Sequence, residues 1–279
     1  MARAYISAGS YGRGGYVTFR GQEVSPGEVF KRVLLAGIDP FRVFADVARR
    51  PDTAGAFACM LLLAFAHFLS NSVLVAKVVV YAGKGEKIAP PAVTVDGAVC
   101  KVVAVNATSY RRLGPVSEEQ YAALNMLALG YALTTWVAWA LGLWLAYKLA
   151  GGSPSPAVLM SGYVLSSKVY ENLTRAALLA MFLRDLSRIE LYVEPSQGAQ
   201  RVGALLNLAS AAFTTVEGLP TAVAVHAAFF TVWSAVVATA AVNRGGLTSL
   251  PRSIAAGLAA YVLASAIQSL AYSALMLAL

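Results

Sequence analysis

Four stretches of this chain run without a single Asp, Glu, Lys or Arg for longer than a bilayer is thick. They cover residues 54–76, 121–147, 218–243 and 253–279, which is 23, 27, 26 and 27 residues. A helix needs about 20 residues to cross the hydrocarbon core. A water-soluble domain of this size lacks the interior to hide four such tracts. Only 13% of the 279 residues are charged, against about 25% in ordinary globular chains. The chain is therefore expected to fold in a membrane.

A fifth tract, 157–183, has the length of a span but contains the stretch LSSKVYENLTR, residues 165–175. Lys168 lies 11 residues past Ala157, about 16 Å along a helix and so near mid-bilayer. Lys168 and Glu171 are spaced i, i+3 and Glu171 and Arg175 i, i+4, so the three charges share one helix face. A bare charge at that depth costs at least about 2.5–3.5 kcal/mol. Three readings follow: a path for an ion or substrate, an inward polar network that fixes helix packing, or a helix ending near residue 170 that delivers the charges to headgroups. Candidate members of a network are His67 and Asn71 in the first span, Lys168, Glu171, Asn172 and Arg175 in the third, and His226 in the fourth. Ser70 and Gln268 lie on the first and fifth spans.

The segments divide as follows. Residues 1–24, rich in Gly with scattered Tyr, read as a disordered tail. Residues 25–53 read as two amphipathic helices. Ser25, Pro26 and Glu28 form a start signal with a capping box, and Gly37 ends that helix. Asp39 caps the second, Pro40 opens it and Pro51 stops it. Phe41, Phe44, Val47 and Ala48 share its apolar face, with Arg42, Asp46, Arg49 and Arg50 opposite. Such a helix suits the membrane interface or a place packed under the bundle, and the two are compatible. Phe41, Arg42, Phe44, Arg49 and Arg50 are its candidate contacts to a partner or to the membrane surface. The membrane domain is 54–279, with spans at about 54–81, 121–148, 157–183, 218–243 and 252–278. Residues 202–216 carry no charge over 15 residues, too short to span and suited to an interfacial or re-entrant segment. The loop 82–120 holds two β-branched runs around Asp96-Gly97, a hairpin signal.

The expected fold is an all-α membrane protein: a five-transmembrane-helix bundle with N-terminal cytoplasmic amphipathic helices and a small external β-hairpin. Segments on the N-terminal side carry eleven Lys or Arg and those on the other side eight. That bias puts the N-terminus in the cytoplasm and, after five crossings, the C-terminus outside. No signal peptide is expected, because the first apolar tract begins near residue 54 behind a polar segment. The net charge of +8 is read as basic flanks meeting anionic lipid. No basic run interleaved with aromatics suggests a nucleic-acid groove. Cys59 and Cys100 read as free thiols.

Catalytic signals are absent. The chain has no H-E-x-x-H, no G-x-S-x-G, no P-loop and no pair of aspartates within spans. No cofactor and no metal is expected.

Three stretches together resemble the Yip family of multi-pass proteins, named for interaction with Ypt/Rab GTPases. DPFRVFADVARRP, residues 39–51, is similar to the family's lead-in to span one. LAGGSPSPAVLMSGYVLSS, residues 149–167, is similar to its Gly-Gly turn and the Gly-Tyr pair of span three, here Gly162-Tyr163. VWSAVVATAAVNRGGLTSLPRSIAAGLAAYVL, with Trp233, is similar to its last two spans. The resemblance covers residues 39–81 and 121–279 and is closest to prokaryotic-type members. It implies five spans, a prokaryotic plasma membrane, and a non-enzymatic role as a membrane scaffold or recruitment module. The alternative is a small-solute or ion transporter or channel working through the charged face of the third span.

Overall fold

Capping chemistry sets the first helix boundaries. The computed structural model describes residues 24–195 and 201–278, so the expected tail lies outside the described residues apart from Val24. Helix α1, Pro26–Leu35, opens on the expected capping box, with Ser25 Oγ accepting from the Glu28 amide and Glu28 accepting from the Ser25 amide. Helix α2, Pro40–Arg49, starts at Pro40, but Asp39 makes no side-chain cap bond. Its backbone (φ −125°, ψ 68°) departs from the extended geometry that aims a cap oxygen at the first turn.

Six further helices follow: α3 Thr53–Val75, α4 Glu118–Leu149, α5 Ala157–Phe182, α6 Val202–Ala211, α7 Leu219–Gly245 and α8 Leu250–Ala278. A 3₁₀ turn, Ala212–Thr215, extends α6. Among the described residues α3, α4, α7 and α8 are long and apolar enough to cross a membrane, which makes this a multi-pass membrane protein. Small residues set the closest helix contacts, as they do where lipid leaves no hydrophobic force between helices. A Cβ on Gly142 of α4 would stand 2.7 Å from the Ala260 carbonyl oxygen of α8.

The all-α expectation is corrected by a five-stranded sheet. Its strands are β1 Val78–Ala82, β2 Gly85–Asp96, β3 Val99–Ala107, β4 Arg111–Pro115 and β5 Arg188–Val193, in the order β2-β3-β5-β1-β4. The hairpin anticipated at Asp96-Gly97 is the β2–β3 pair, with Gly97 at φ 59°, a left-handed value that suits glycine. The strand that completes the sheet is β5, from the loop after α5. It runs parallel to β1 on one side and β3 on the other. Ile189, Leu191 and Val193 alternate along it and align with Val78, Val80 and Ala82 across one seam. All six are buried, and with Leu205 and Leu206 of α6 most of them form a second hydrophobic core at this end of the bundle. On its other face Glu190 is buried and accepts from Arg188 at 2.8 Å and from the Tyr192 hydroxyl at 2.8 Å. Burial and that hydrogen bond push the Tyr192 hydroxyl up to about 12.

The first span is shorter than the expected 54–81. Helix α3 ends at Val75, and the β-branched run Val78–Val80 leaves the helix for β1. β-branched side chains lose less freedom in a strand than in a helix, and β5 supplies the backbone partners.

The two N-terminal helices do not simply lie on the bundle. They form a hairpin whose turn wedges against α5 and α7. Gly37 sits so close to α5 that a Cβ there would stand 2.5 Å from the Tyr170 ring and 3.3 Å from the Ser166 backbone. Tyr170 donates its hydroxyl to the Leu34 carbonyl at 2.7 Å, and Trp233 Nε1 donates to the Gly37 carbonyl at 2.7 Å. Ser166 and Tyr170 are 9 and 13 residues into α5, so the turn reaches about 14–20 Å along that helix.

Candidate functional site

Helix α5 runs through the middle of the bundle, against α3, α4 and α7. Nine consecutive residues, Ser161–Val169, are buried, so every face of more than two turns meets protein. Protein rather than lipid is the solvent there, and α5 tolerates Ser161, Ser167 and Lys168. The first two hydroxyls donate to the carbonyls of Val158 and Val164 at 2.8 and 2.9 Å.

The structure gathers most of the expected polar residues but in two groups. Lys168 is 8% exposed, and its Nζ lies 2.6 Å from Glu171 Oε2. One turn on, Asn172 Oδ1 lies 3.0 Å from His67 Nδ1, and Asn71 Nδ2 lies 3.0 Å from His67 Nε2. This pattern satisfies a neutral imidazole that donates from Nδ1 and accepts at Nε2. The Asn172 amide donates back to the Lys168 carbonyl at 2.9 Å. The His67 ring stacks on Tyr131 of α4 at 3.9 Å and meets Tyr272 of α8 edge-on at 5.5 Å. One histidine thus ties α3, α4, α5 and α8 together. Ser70 Oγ, one turn along α3, is buried without a hydrogen-bond partner among the described residues.

His226 meets α5 beside Glu171 and Arg175 rather than beside His67. Its Nε2 lies 2.8 Å from Thr174 Oγ1, which itself donates to the Tyr170 carbonyl at 2.7 Å. Arg175 is half-buried and has no hydrogen bond or ion pair among the described residues. Among the described residues no group of three or more His, Cys, Asp or Glu is placed to hold a metal ion. Cys59 and Cys100 are both free and buried.

Sequence reasoning missed the aromatic partners Tyr131 and Tyr272, since single tyrosines in apolar helices carry no local signal. It also missed a charged knot beneath the N-terminal hairpin. Arg32, 3% exposed, donates to Asp46 at 2.8 Å, to the Arg50 carbonyl at 2.9 Å and to Asp52. Asp52 caps α3 through the Gly55 amide at 2.7 Å and accepts from the Tyr163 hydroxyl at 2.7 Å. Arg50 pairs with Glu28 and Asp46, each at 3.0 Å. Of the candidate interface residues, Phe44 is fully buried and acts in packing, Phe41 lies under the Arg244 guanidinium, and Arg42 and Arg49 are exposed.

This knot titrates. Burial pushes the Asp46 carboxyl up, but hydrogen bonds from Arg32 and Arg50 outweigh it and hold the group below its ordinary 3.8. A depressed carboxylate adds stability that is complete above the unfolded value and disappears as pH falls through the lower folded value. Lowering the pH from 5 to below about 3 is expected to speed amide exchange in α1 and α2, corrected for intrinsic rates, ahead of α3 and α5. Asp46→Asn should shrink that pH response to the part carried by Glu28, whose carboxyl is also held below its ordinary value by the Ser25 amide and Arg50, and leave α1 already fast at pH 5.

No family model, no characterised protein and no solved structure matches this chain.

Proposed function

We propose that the chain is a non-enzymatic membrane scaffold, of the kind its resemblance to the Yip family implies, that crosses a prokaryotic plasma membrane five times and recruits a partner at its cytoplasmic N-terminal hairpin. In this reading α5 is the fifth crossing. Its charges do not argue against that, because α3, α4 and α7 shield it from lipid. The C-terminus then lies outside with the sheet.

The observation that carries the reading is the closed packing around Lys168. The ammonium is matched by Glu171 and covered on its own helix. Two clefts, of about 680 and 480 Å³, lie between α1 and α2 and where the β2–β3 turn meets the end of α5, and neither is lined by Lys168. A transport path needs water-lined access to its central charge. A scaffold needs rigid helices and a presented surface, which α2 supplies with Arg42 and Arg49.

The test is site-specific photo-crosslinking in native membranes. A photoreactive residue at Arg49 is expected to give a discrete protein adduct that the same residue at Arg111, on the sheet, does not. Identical adducts from both positions, or none from Arg49, would remove the recruitment reading. The transporter alternative draws on Arg175, which has no ion pair among the described residues, and on a Glu171 side chain that is 26% exposed. It predicts solute or ion flux in proteoliposomes that Glu171→Gln abolishes.

A further inference from the structure

A cleft of about 680 Å³ lies between α1 and α2, with Arg244 at the end of α7 closing one side. Its lining holds six Lys or Arg and three Asp or Glu. The ion pairs decide what is left over. Glu28 and Asp46 are consumed by Arg50 and Arg32. Lys31, Arg42, Arg49 and Arg244 are exposed and carry no ion pair among the described residues, and Asp39 alone opposes them. At the floor, buried Arg32 still has one donor atom, Nη2, without a hydrogen-bond partner among the described residues. The cleft is a concave surface with excess positive charge and unspent N–H donors. Guanidinium forks match phosphate oxygens in geometry as well as in charge.

The surroundings say where such a phosphate would come from. The opposite face of α1 carries Phe30 and Leu34, at 64% and 42% exposure, and Ile38 in the turn that follows is 58% exposed. The α3 side chains Phe57, Leu61 and Phe65 are exposed as well, on a helix apolar enough to cross a membrane. An apolar crevice of about 110 Å³ opens between α1, α3 and α5 beside Leu34 and Tyr170. Helix α1 thus has acyl-chain surface on one face and the basic cleft on the other, which is the arrangement of an interfacial lipid-binding helix.

We propose that the α1–α2 cleft is a binding site for the phosphate headgroup of an anionic phospholipid, held chiefly by Lys31, Arg42, Arg49 and Arg244. This site stands whether or not α2 also meets a protein. The lipid bridges α1, α2 and α7 and so locks the hairpin to the bundle.

The experiment uses the full chain in a neutral detergent and reads its unfolding temperature. Dioctanoylphosphatidylglycerol at about a hundredfold excess over its Kd is expected to raise that temperature saturably, by about 5 °C or more. Dioctanoylphosphatidylcholine and inorganic phosphate at the same concentration should not. Arg42→Gln with Arg49→Gln should weaken the apparent Kd about tenfold or more without moving the lipid-free unfolding temperature, because neither side chain has a hydrogen-bond or ion-pair partner among the described residues. Arg111→Gln with Arg112→Gln, an equal charge change on the sheet, is expected to leave the Kd unaltered. A shift given equally by inorganic phosphate would overturn the lipid assignment and leave a soluble phosphate site. Equal shifts from the two lipids, or full binding by the Arg42/Arg49 variant, would overturn the site itself.

Discussion

Glu171→Ala is expected to lower the unfolding free energy by about 3 kcal/mol, read from sodium dodecyl sulfate titrations in mixed micelles. The reasoning is asymmetric. The pair at 2.6 Å adds little net stability, because taking both charges out of water offsets their attraction. Removing one partner is different. Lys168 is 8% exposed, and after the substitution it is a buried cation with no counter-charge. Breaking a buried pair typically costs 3–5 kcal/mol, and the quarter exposure of Glu171 places this case at the low end. The double variant Lys168→Met with Glu171→Leu removes both charges and should return to within about 1 kcal/mol of the parent. If Glu171→Ala unfolds like the parent, Lys168 already has water, and the closed-bundle account is wrong.

The second large effect lies one helix contact away. Gly162→Leu is expected to prevent accumulation of folded protein, and Gly162→Ala to destabilise it by about 2 kcal/mol. A Cβ at 162 would stand 2.4 Å from the Ala56 Cβ and 2.8 Å from the Ala56 Cα. Real Cβ atoms do not approach that closely, and the obstacle is backbone rather than a side chain that can swing aside. α3 and α5 would have to separate, and the hydrogen bonds from His67 to Asn172 and from Tyr163 to Asp52 span that same seam. Overpacking usually costs 1–3 kcal/mol, and the loss of those bonds adds to it for Leu. Gly27→Ala is the matched control: it has open space around it and should be neutral or slightly stabilising. Folded yield after detergent extraction checks all three.

These two sites show what local sequence can carry. Lys168, Glu171 and Asn172 were legible as a cluster because i, i+3 and i+4 spacing is a property of one helix. The His67–Asn172 bond was not, since 105 residues separate the partners and nothing local sets the register of α3 against α5. The long apolar tracts were legible for the same local reason. Their edges match α4, α5, α7 and α8 closely, and Gly151, at φ 79°, follows the end of α4 in the left-handed conformation that suits glycine. The sheet was only half legible. Asp96-Gly97 marks a tight turn, but β5 is six residues long and pairs in parallel with strands about 90 and 110 residues earlier. A short strand has no signature of its own when both neighbours are that remote. Asp39 failed as a cap through its backbone angles, which composition does not report. The hairpin of α1 and α2 was legible as two helices, and its amphipathicity fits equally a membrane surface and a protein groove. Gly37 against Tyr170, a tertiary contact, adds the groove, while exposed Phe30 and Leu34 keep an apolar face toward the membrane surface.

The central claim is that α5 crosses the membrane with its charges turned into protein. Ser153 and Arg184 are both exposed and have α5 alone between them. Single cysteines at these two positions, with Cys59 and Cys100 replaced by alanine, can be probed with a membrane-impermeant maleimide in sealed vesicles of known orientation. The account predicts that Ser153→Cys reacts from the cytoplasmic face only and Arg184→Cys from the opposite face only. Labelling of both from one face would mean that α5 does not cross and would contradict it.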